Sequence, residues 1–590
     1  MAPSDQTCDL PHADHAEWTH TMPRPSPDRG RGVARRQFIT GASALAALTS
    51  LGTVPGARAD TLFAPTVLAG ASSVFDLHIS PLTCTIAGKT QTVPAMNGSV
   101  PGPTLRWREG DEVTLNVHNH LSEDTSIHWH GLRCPANMDG VPGLSFGGIG
   151  PGQSFTYHFP IRQSGTYWYH SHSNMQEARG LYGAIIIDPH TPSSQTWDRD
   201  YVVLLSDWSD VAPHDIISNL KFQDDYYNFR QRTAASLVHD AKQGGLLPAL
   251  KNRLQWAGMN MSATDISDVT GIIYTYLMNG CTPDTNWTGL FRPNERVRLR
   301  FINASSMTFY DIRIPGLQMD VVQADGNDVE PVRVDEFRIG VAETYDCIVQ
   351  PKSNRAYTIF AQTEDRTGFA RGTLAPQPHM QAAIPPMDPR PVRTMLDMGM
   401  AETMNMKNMD MKGMDMEAPL PAHTPPLNVE NQNIARTPID RLADPGDGLR
   451  NNGRRVLTYA DLRALRPVQD TRPPSREITL HLTGNMERYI WGFDGKKFSE
   501  SEPIPLRLGE RVRFTLINDT MMEHPVHLHG LWSELENGNG AYNPVKHTII
   551  VQPGSRLSYL VSADTPGLWA YHCHLLYHMD LGMFRTVVVS

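Results

Sequence analysis

Three segments of the chain share one alternation of apolar and polar residues. They cover residues 110–119, 294–303 and 509–518, and each has a branched or aromatic apolar residue at every second position. Successive side chains of a β-strand point to opposite faces, so a period of two predicts a half-buried strand in each segment. One strand pattern repeated three times along 590 residues predicts three related β-rich domains.

The first and third copies also share motifs at equal spacing. His128 begins a His-Trp-His motif 18 residues after Gly110, and His527 begins a His-Leu-His motif 18 residues after Gly509. In both copies a Pro-Gly pair precedes the next histidine motif by 19 residues. The equal spacing predicts two copies of one β-sandwich unit.

The middle copy differs, because Ile312 and Ile314 occupy the positions that match the first histidine pair. It is predicted to keep the fold and to hold no ligand there. A weak helical pattern over residues 214–260 predicts an insertion on this domain. The predicted organisation comprises a leader at 1–59, domain one at 70–190, domain two at 198–375, a Pro- and Met-rich connector at 376–471 that is disordered in part, and domain three at 472–590.

The composition limits which partners the protein is expected to bind and whether disulfides are expected to stabilise it. The net charge is −10 and no basic cluster stands out, so nucleic acid is not an expected partner, and a monomer is the default expectation. Six cysteines are too few for a disulfide scaffold. We expect most of the four that lie outside the leader and the metal motif to be small core residues, Cys347 especially. Their pairing is left open: Cys84, Cys134, Cys281 and Cys347.

The N-terminal segment has the pattern of an export leader. Arg35 and Arg36 precede a small and apolar run at residues 40–52, and an Ala-x-Ala pattern ends at Ala59. Twin arginines, a mildly hydrophobic region and such a cleavage pattern are typical of the Tat pathway, which predicts a periplasmic protein. A membrane anchor is disfavoured, because about 15 mildly apolar residues are fewer than the roughly 20 that a span needs.

Four histidine clusters carry the candidate chemistry. One His-x-His pair is a weak signal, since a strand histidine is often a satisfied core residue, but four clusters at repeated spacing predict metal sites. Residues two apart share one face of a strand, so each pair is aimed at one point. Zinc needs only three or four ligands and would leave most of these histidines idle. The paired histidines are His128 and His130, His170 and His172, His527 and His529, and His572 and His574.

The run His572-Cys573-His574 is the most informative motif. On a strand its two histidines face one side and Cys573 faces the other, so three consecutive residues can serve two metal centres. His524 lies an odd number of positions before His527 and is free to lie on the cysteine side. Together with His578 and Met583, which follow in the chain, these residues form the ligand set of a blue-copper site: two histidines, a thiolate and a thioether.

The four motifs, in this order, resemble those of the multicopper oxidases. The segments at 276–280, 491–498 and 529–536, the methionine-rich connector and the Tat-like leader resemble the bacterial copper-resistance type of that family, the CopA-like proteins. The resemblance covers nearly all the chain after the leader. It implies an all-β fold of three cupredoxin-like Greek-key sandwiches and an oxidoreductase that binds four copper ions and uses O2 as acceptor.

The resemblance also implies roles for individual residues. A donor would reach the blue copper from the surface beside His524 and His578, and Cys573 would carry each electron onward. Asp139 matches an acid that delivers protons in the family, although it also suits a turn, and Met579 stands where some relatives carry a second acid. The implied ligands are His524, Cys573, His578 and Met583 for type 1 copper, His128 and His527 for type 2, and His130, His170, His172, His529, His572 and His574 for the type 3 pair.

Three functions remain open at this point. The first is a cuprous oxidase that detoxifies Cu(I), the second is a laccase-like phenol oxidase, and the third is a periplasmic copper-storage protein. The connector favours the first, because thioethers are soft ligands that select Cu(I) and eleven methionines fall between residues 380 and 416. The predicted Cu(I)-recruiting residues are Met404, Met406, Met409, Met411, Met414 and Met416.

Overall fold

Strands dominate the part of the chain that the structure describes, and they form six sheets. This confirms the predicted all-β class. The structure is a computed structural model, and the predicted leader and the six recruiting methionines lie outside its described residues. The described ranges are 66–69, 73–192, 195–228, 231–258, 261–400 and 423–590.

The first sandwich packs a five-stranded sheet against a four-stranded sheet. Its strands are β1 (Val67–Leu68), β2 (Val74–Ile86), β3 (Lys89–Met96), β4 (Thr104–Arg108), β5 (Glu112–Asn119), β6 (His128–His130), β7 (Ser154–Pro160), β8 (Gly165–His170) and β9 (Tyr182–Asp188). The sheet orders are β1-β4-β9-β8-β6 and β3-β2-β5-β7. Trp107, Trp129, Tyr157 and Tyr169 fill the core between them.

The second sandwich contains no His-x-His pair on its strands and carries three helices. Its strands are β10 (Arg199–Trp208), β11 (Thr275–Met278), β12 (Trp287–Leu290), β13 (Val297–Asn303), β14 (Tyr310–Arg313), β15 (Met319–Ala324), β16 (Asn327–Val334), β17 (Glu336–Ile339), β18 (Thr344–Val349), β19 (Tyr357–Thr363) and β20 (Phe369–Ala375). The sheet orders are β11-β10-β13-β18-β15-β16 and β12-β20-β19-β14-β17. The helices α1 (Pro213–Phe222), α2 (Ala234–Gly244) and α3 (Leu246–Gly258) confirm the helical pattern of residues 214–260.

The third sandwich repeats the arrangement of the second. Its elements are β21 (Arg476–Asn485), β22 (Ile490–Phe493), β23 (Ile504–Leu506), β24 (Arg511–Asn518), β25 (His524–Leu528), β26 (Ser533–Leu535), β27 (Val545–Lys546), β28 (Thr548–Val551), β29 (Arg556–Ser562), β30 (Gly567–Cys573), α4 (Leu576–Asp580) and β31 (Phe584–Val589). The sheet orders are β22-β21-β24-β29-β26-β27 and β23-β31-β30-β25-β28. Short 3₁₀ turns lie at Ala136–Met138, Tyr459–Asp461, Phe498–Glu500 and Gly540–Tyr542.

The three repeated segments form β5, β13 and β24. β5 is half-buried, as predicted, but the prediction is wrong for β13 and β24, where at most one position is partly exposed. On β13, Arg298 Nε donates to the Asp346 carboxylate at 2.8 Å and Arg300 Nη1 donates to it at 3.1 Å. The Thr166 hydroxyl of the first sandwich donates to the same carboxylate at 2.9 Å. The polar face of β13 is therefore covered by the neighbouring sandwich.

The described parts of the connector, residues 376–400 and 423–471, pack against the sandwiches. Arg393 is fully buried, its backbone N–H donates to the carbonyl of Ala263 at 2.9 Å, and its guanidinium donates to Asp447 at 3.0 Å and to the carbonyl of Met521. Buried side-chain hydrogen bonds therefore stabilise the irregular backbone of the connector.

Cys134 and Cys347 are buried, as expected of core residues, whereas Cys84 and Cys281 are half-buried. All four are free thiols in the described structure. None of the helices within the described ranges has the length and apolar character that a membrane span requires.

Candidate metal centres

Eight histidines from the first and third sandwiches lie together. Antiparallel pairing of β6 with β8 sets His128 opposite His170, and pairing of β25 with β30 sets His527 opposite His572. Seven of the eight rings are buried, and His172 is half-buried. The eight residues, called the histidine cluster below, are His128, His130, His170, His172, His527, His529, His572 and His574.

Six of these rings form two triangles. In the first triangle, His172, His529 and His572 have ring centroids 5.1–5.3 Å apart, and their ligand nitrogens lie within 4.8 Å of one another. The second triangle has centroid separations of 4.8–5.7 Å and consists of His130, His170 and His574. Each triangle contains histidines from both the first and the third sandwich. An ion bound in either triangle would therefore link these two sandwiches.

The remaining two histidines, His128 and His527, have ring centroids 5.7 Å apart. Their Nδ1 atoms contact backbone carbonyls, that of Asp139 at 2.8 Å and that of His547 at 2.6 Å. A hydrogen bond at one ring nitrogen selects the other for a metal. Within the described residues, Nε2 of both rings is buried and has no hydrogen-bond partner, a state that a bound ion would relieve.

The protonation of the cluster also suits a metal. Burial, reinforced by the neighbouring imidazole of His128, lowers the pKa of His572 to about 4. Burial and neighbouring imidazoles hold the pKa values of six other rings well below the usual range, namely those of His130, His170, His172, His527, His529 and His574. These rings are neutral near pH 7, and a neutral imidazole is the form that binds a metal.

A second site lies on the other side of β30, around Cys573. Its Sγ is 3.5 Å from His524 Nδ1 and 3.9 Å from His578 Nδ1, and the two nitrogens are 3.3 Å apart. Ligand atoms of one ion at metal–ligand distances of about 2.0–2.3 Å have separations of this size. Met583 is fully buried beside them, and its carbonyl accepts a hydrogen bond from the Cys573 N–H at 3.1 Å. Burial raises the pKa of the Cys573 thiol, so a cation is what would deprotonate it.

His524 and His578, beside which a donor was expected to reach the blue copper from the surface, are both completely buried. His578 Nε2 is 2.7 Å from an Asp268 carboxylate oxygen, which also accepts a hydrogen bond from the Tyr489 hydroxyl at 2.8 Å. The Trp491 ring stacks on the His578 ring, with the two ring centroids 3.7 Å apart. Asp268 belongs to the second sandwich, 310 residues from His578 in the chain, so the second sandwich helps to bury this ring.

Two buried acids contact the histidine cluster. Asp139 lies 2.8 Å from His529 Nδ1 through one carboxylate oxygen and 3.4 Å from His128 Nδ1 through the other. It also ends the 3₁₀ turn at Ala136–Met138, as the turn interpretation expects, while its role as a proton-delivering acid stays a prediction. Glu177 was not predicted from the sequence, and its carboxylate lies 2.8 Å from His170 Nδ1. Burial, together with the nearby Asp207, holds the pKa of Glu177 well above its usual range, which favours its protonated form.

His547 is a further histidine that the motifs missed. It is buried and lies between β27 and β28 in the chain. Its Nδ1 lies 3.1 Å from His130 Nε2, and its backbone carbonyl contacts His527 Nδ1 at 2.6 Å. Asp325 of the second sandwich accepts from the backbone N–H of His547 at 3.1 Å. The residue stands alone in sequence, outside any His-x-His pair, so only its proximity in the fold identifies it.

The chain belongs to the multicopper oxidase family, a family of copper-dependent oxidoreductases. Family models described as multicopper oxidase match residues 78–192, 199–379 and 471–590.

Among curated relatives, the chain is 51% identical to copper resistance protein A of Escherichia coli, over 95% of this chain and 99% of that protein. It is 52% identical, over the same shares, to the copper resistance protein A homolog of Pseudomonas syringae pv. tomato. Among solved structures, Fet3p, a multicopper oxidase that functions in iron import, superposes with a TM-score of 0.63 at 20% identity, over 88% of this chain and 90% of that one. These likenesses confirm the predicted cupredoxin-like fold and the predicted family.

His547 is predicted to position two copper ligands. In His547→Leu the side-chain contact to His130 is lost, so copper affinity of the histidine cluster should fall by about 10- to 100-fold, the usual effect of removing such a support. Chelator competition with the copper-loaded protein measures this. His547→Gln, which keeps a hydrogen-bonding group, is expected to lose less, and the absorbance of the Cys573 site should stay unchanged in both. Unaltered copper affinity in His547→Leu would contradict the prediction.

Proposed function

We propose that this protein is a cuprous oxidase that couples four one-electron oxidations of Cu(I) to the reduction of O2. The reaction balances as four Cu(I), one O2 and four protons giving four Cu(II) and two waters. The observation that carries the proposal is the position of Cys573. Its sulfur faces His524 and His578, while its covalent neighbours His572 and His574 face the histidine cluster.

The proposal includes four copper ions. The contacts around Cys573 support a type 1 ion, the two free Nε2 atoms support a type 2 ion, and the two triangles support a type 3 pair. The proposed ligands are His524, Cys573, His578 and Met583 for type 1, His128 and His527 for type 2, and the two triangles His172, His529, His572 and His130, His170, His574 for the pair.

The chain's own residues divide the remaining tasks. When bound, copper supplies the one-electron chemistry that links donor oxidation to O2 reduction. Cys573 joins the two sites through its own backbone, so no solvent gap separates them. Each O2 consumes four protons, and Glu177 and Asp139 lie where protons would be held beside the cluster. Glu177 takes the place of the second acid that position Met579 does not provide.

The donor is proposed to be Cu(I) because two relatives at 51–52% identity are named for copper resistance. Similarity to enzymes named laccase is much lower, 28% for laccase-1 of Cryptococcus neoformans. A storage protein needs no cysteine between two cluster ligands, so the arrangement of β30 disfavours storage. We place the mature protein in the periplasm, delivered by the Tat pathway, on the pattern of Arg35, Arg36 and Ala57-Arg-Ala59.

Oxygen uptake by the copper-loaded protein tests the proposal. With Cu(I) as donor, uptake should exceed both the enzyme-free rate and the copper-free protein's rate, at four Cu(I) per O2. A phenol assayed in parallel should be the poorer donor, since Asp268 and Trp491 cover the type 1 ligands. Rapid phenol oxidation with no enzymatic Cu(I) oxidation would support a laccase instead, and bound copper with neither activity would support storage.

The methionines of the connector are proposed to gather Cu(I) for this site. Thioethers prefer Cu(I), and Asp410, Asp415 and Glu417 add negative charge that attracts a cation. Met398, within the described part, is 1% exposed and packs in the core, so the proposal concerns the later residues. These are Met404, Met406, Met409, Met411, Met414 and Met416.

Replacing these six methionines by leucine keeps the length and the apolar character of the segment. The apparent KM for Cu(I) should then rise several-fold, because the soft ligands are gone, while phenol oxidation stays equal. Steady-state rates with the two donors measure the difference, and Met398→Leu is the matched control. Equal loss of both activities would mean that the segment supports the fold rather than copper delivery.

A further inference from the structure

Three histidines and an aspartate lie together on the outer face of the first sandwich, on the sheet that carries no cluster ligand. β2 and β5 are parallel neighbours there, with His78 opposite His118. Side chains two apart share a face, which adds Asp76 on β2 and His120 just after β5. Buried residues alternate with them along both strands, so these four point to solvent. This group is called the outer histidine site below.

The donor atoms of this site lie in two close pairs, and the rings of His78 and His118 bring the pairs side by side. His78 Nδ1 lies 3.0 Å from His120 Nε2, and the His78 ring stacks on that of His118 with centroids 4.7 Å apart. His118 Nδ1 is 2.7 Å from the Ser154 hydroxyl, while its Nε2 faces an Asp76 carboxylate oxygen at 3.7 Å. Two nitrogens bound to one ion at about 2.0–2.1 Å are roughly 3 Å apart. The separation of His78 and His120 therefore suits a shared ion after a small ring rotation.

Charge at the site also favours a cation. Asn116 donates a hydrogen bond to the Asp76 carboxylate at 3.0 Å. That hydrogen bond is the largest cause holding the pKa of Asp76 below its usual value, with contributions from His118 and His78, so the carboxylate is ionised at neutral pH. The Ser154 contact fixes the orientation of the His118 ring, which leaves Nε2 as the atom for a ligand. The site combines three imidazoles with one fixed negative charge.

We propose that the outer histidine site binds one Cu²⁺ ion, in addition to the ions of the oxidase centres. Imidazole and carboxylate are nitrogen and oxygen donors that suit Cu²⁺ rather than Cu(I), and Cu²⁺ forms the most stable complexes of the common first-row divalent ions with such donors. Asp76, His78 and His120 are exposed and His118 is half-buried, so the ion would exchange with solvent. The core of the sandwich separates them from β6 and β8, which carry the histidine cluster. The proposal holds whichever donor the oxidase centres accept.

Copper binding by the full chain tests this proposal. The four-copper protein, freed of excess metal, is titrated with Cu²⁺ in the presence of a competing buffer ligand, and bound copper is followed by electron paramagnetic resonance. A new Cu²⁺ signal with nitrogen coupling should saturate at one equivalent. The double variant His78→Ala/His120→Ala should lose that equivalent while its oxidase rate stays unchanged. Asp76→Asn should weaken binding by about tenfold or more, because it removes the negative charge.

The matched control is His158→Ala. His158 is an exposed histidine on the same sheet, on β7, where it contacts Thr114 and Glu112 instead of the outer histidine site. This variant should keep the full Cu²⁺ equivalent. If the double variant binds as much Cu²⁺ as the unaltered protein, or if His158→Ala loses an equal amount, no specific site exists there and the proposal is overturned.

Discussion

Side chains on β30 point alternately to its two faces, and the rest of the copper chemistry depends on this alternation. Cys573 faces the pocket of His524 and His578, and the residues on either side of it face the histidine cluster. One strand therefore belongs to two sites at once, without any side chain that must bridge them. β25 makes the same division, since His524 lies on one face and His527 on the other. The register of these two strands fixes the geometry of both sites.

The cluster is assembled at a junction to which all three sandwiches contribute. The first and third supply the histidines, and the second supplies carboxylates that contact the residues around them. The Asp325 carboxylate accepts a hydrogen bond from the backbone N–H of His547, and the Asp268 carboxylate contacts His578 Nε2. The middle copy has Ile312 and Ile314, both core residues, at the positions that match the first histidine pair. The middle domain contacts and covers the sites that the other two domains form.

The sequence predicts the eight paired histidines, because a period of two and a repeated spacing carry over directly to strand faces. It also predicts the family, the all-β fold and the helices near residue 214. It misses His547 and Asp268, because their partners His130 and His578 are distant in the chain. It also misses Glu177, which lies close to His170 in the sequence but belongs to no His-x-His pair. The same limit explains the wrong expectation for β13, where a polar alternation is buried by ion pairs and by the first sandwich. Burial of His524 and His578 likewise depends on the second sandwich, which local periodicity does not describe.

The central claim is that Cys573 is a ligand of one site and the link to the other. The most direct measurement is the copper content, visible spectrum and O2 uptake of Cys573→Ser, beside the unaltered protein. Serine retains the size of the side chain and removes the thiolate, so the fold is expected to persist. The account predicts loss of the blue absorption band, one copper fewer per chain, retained copper in the histidine cluster and collapse of Cu(I)-driven O2 uptake. A variant that keeps its blue band and its rate of O2 uptake would contradict it.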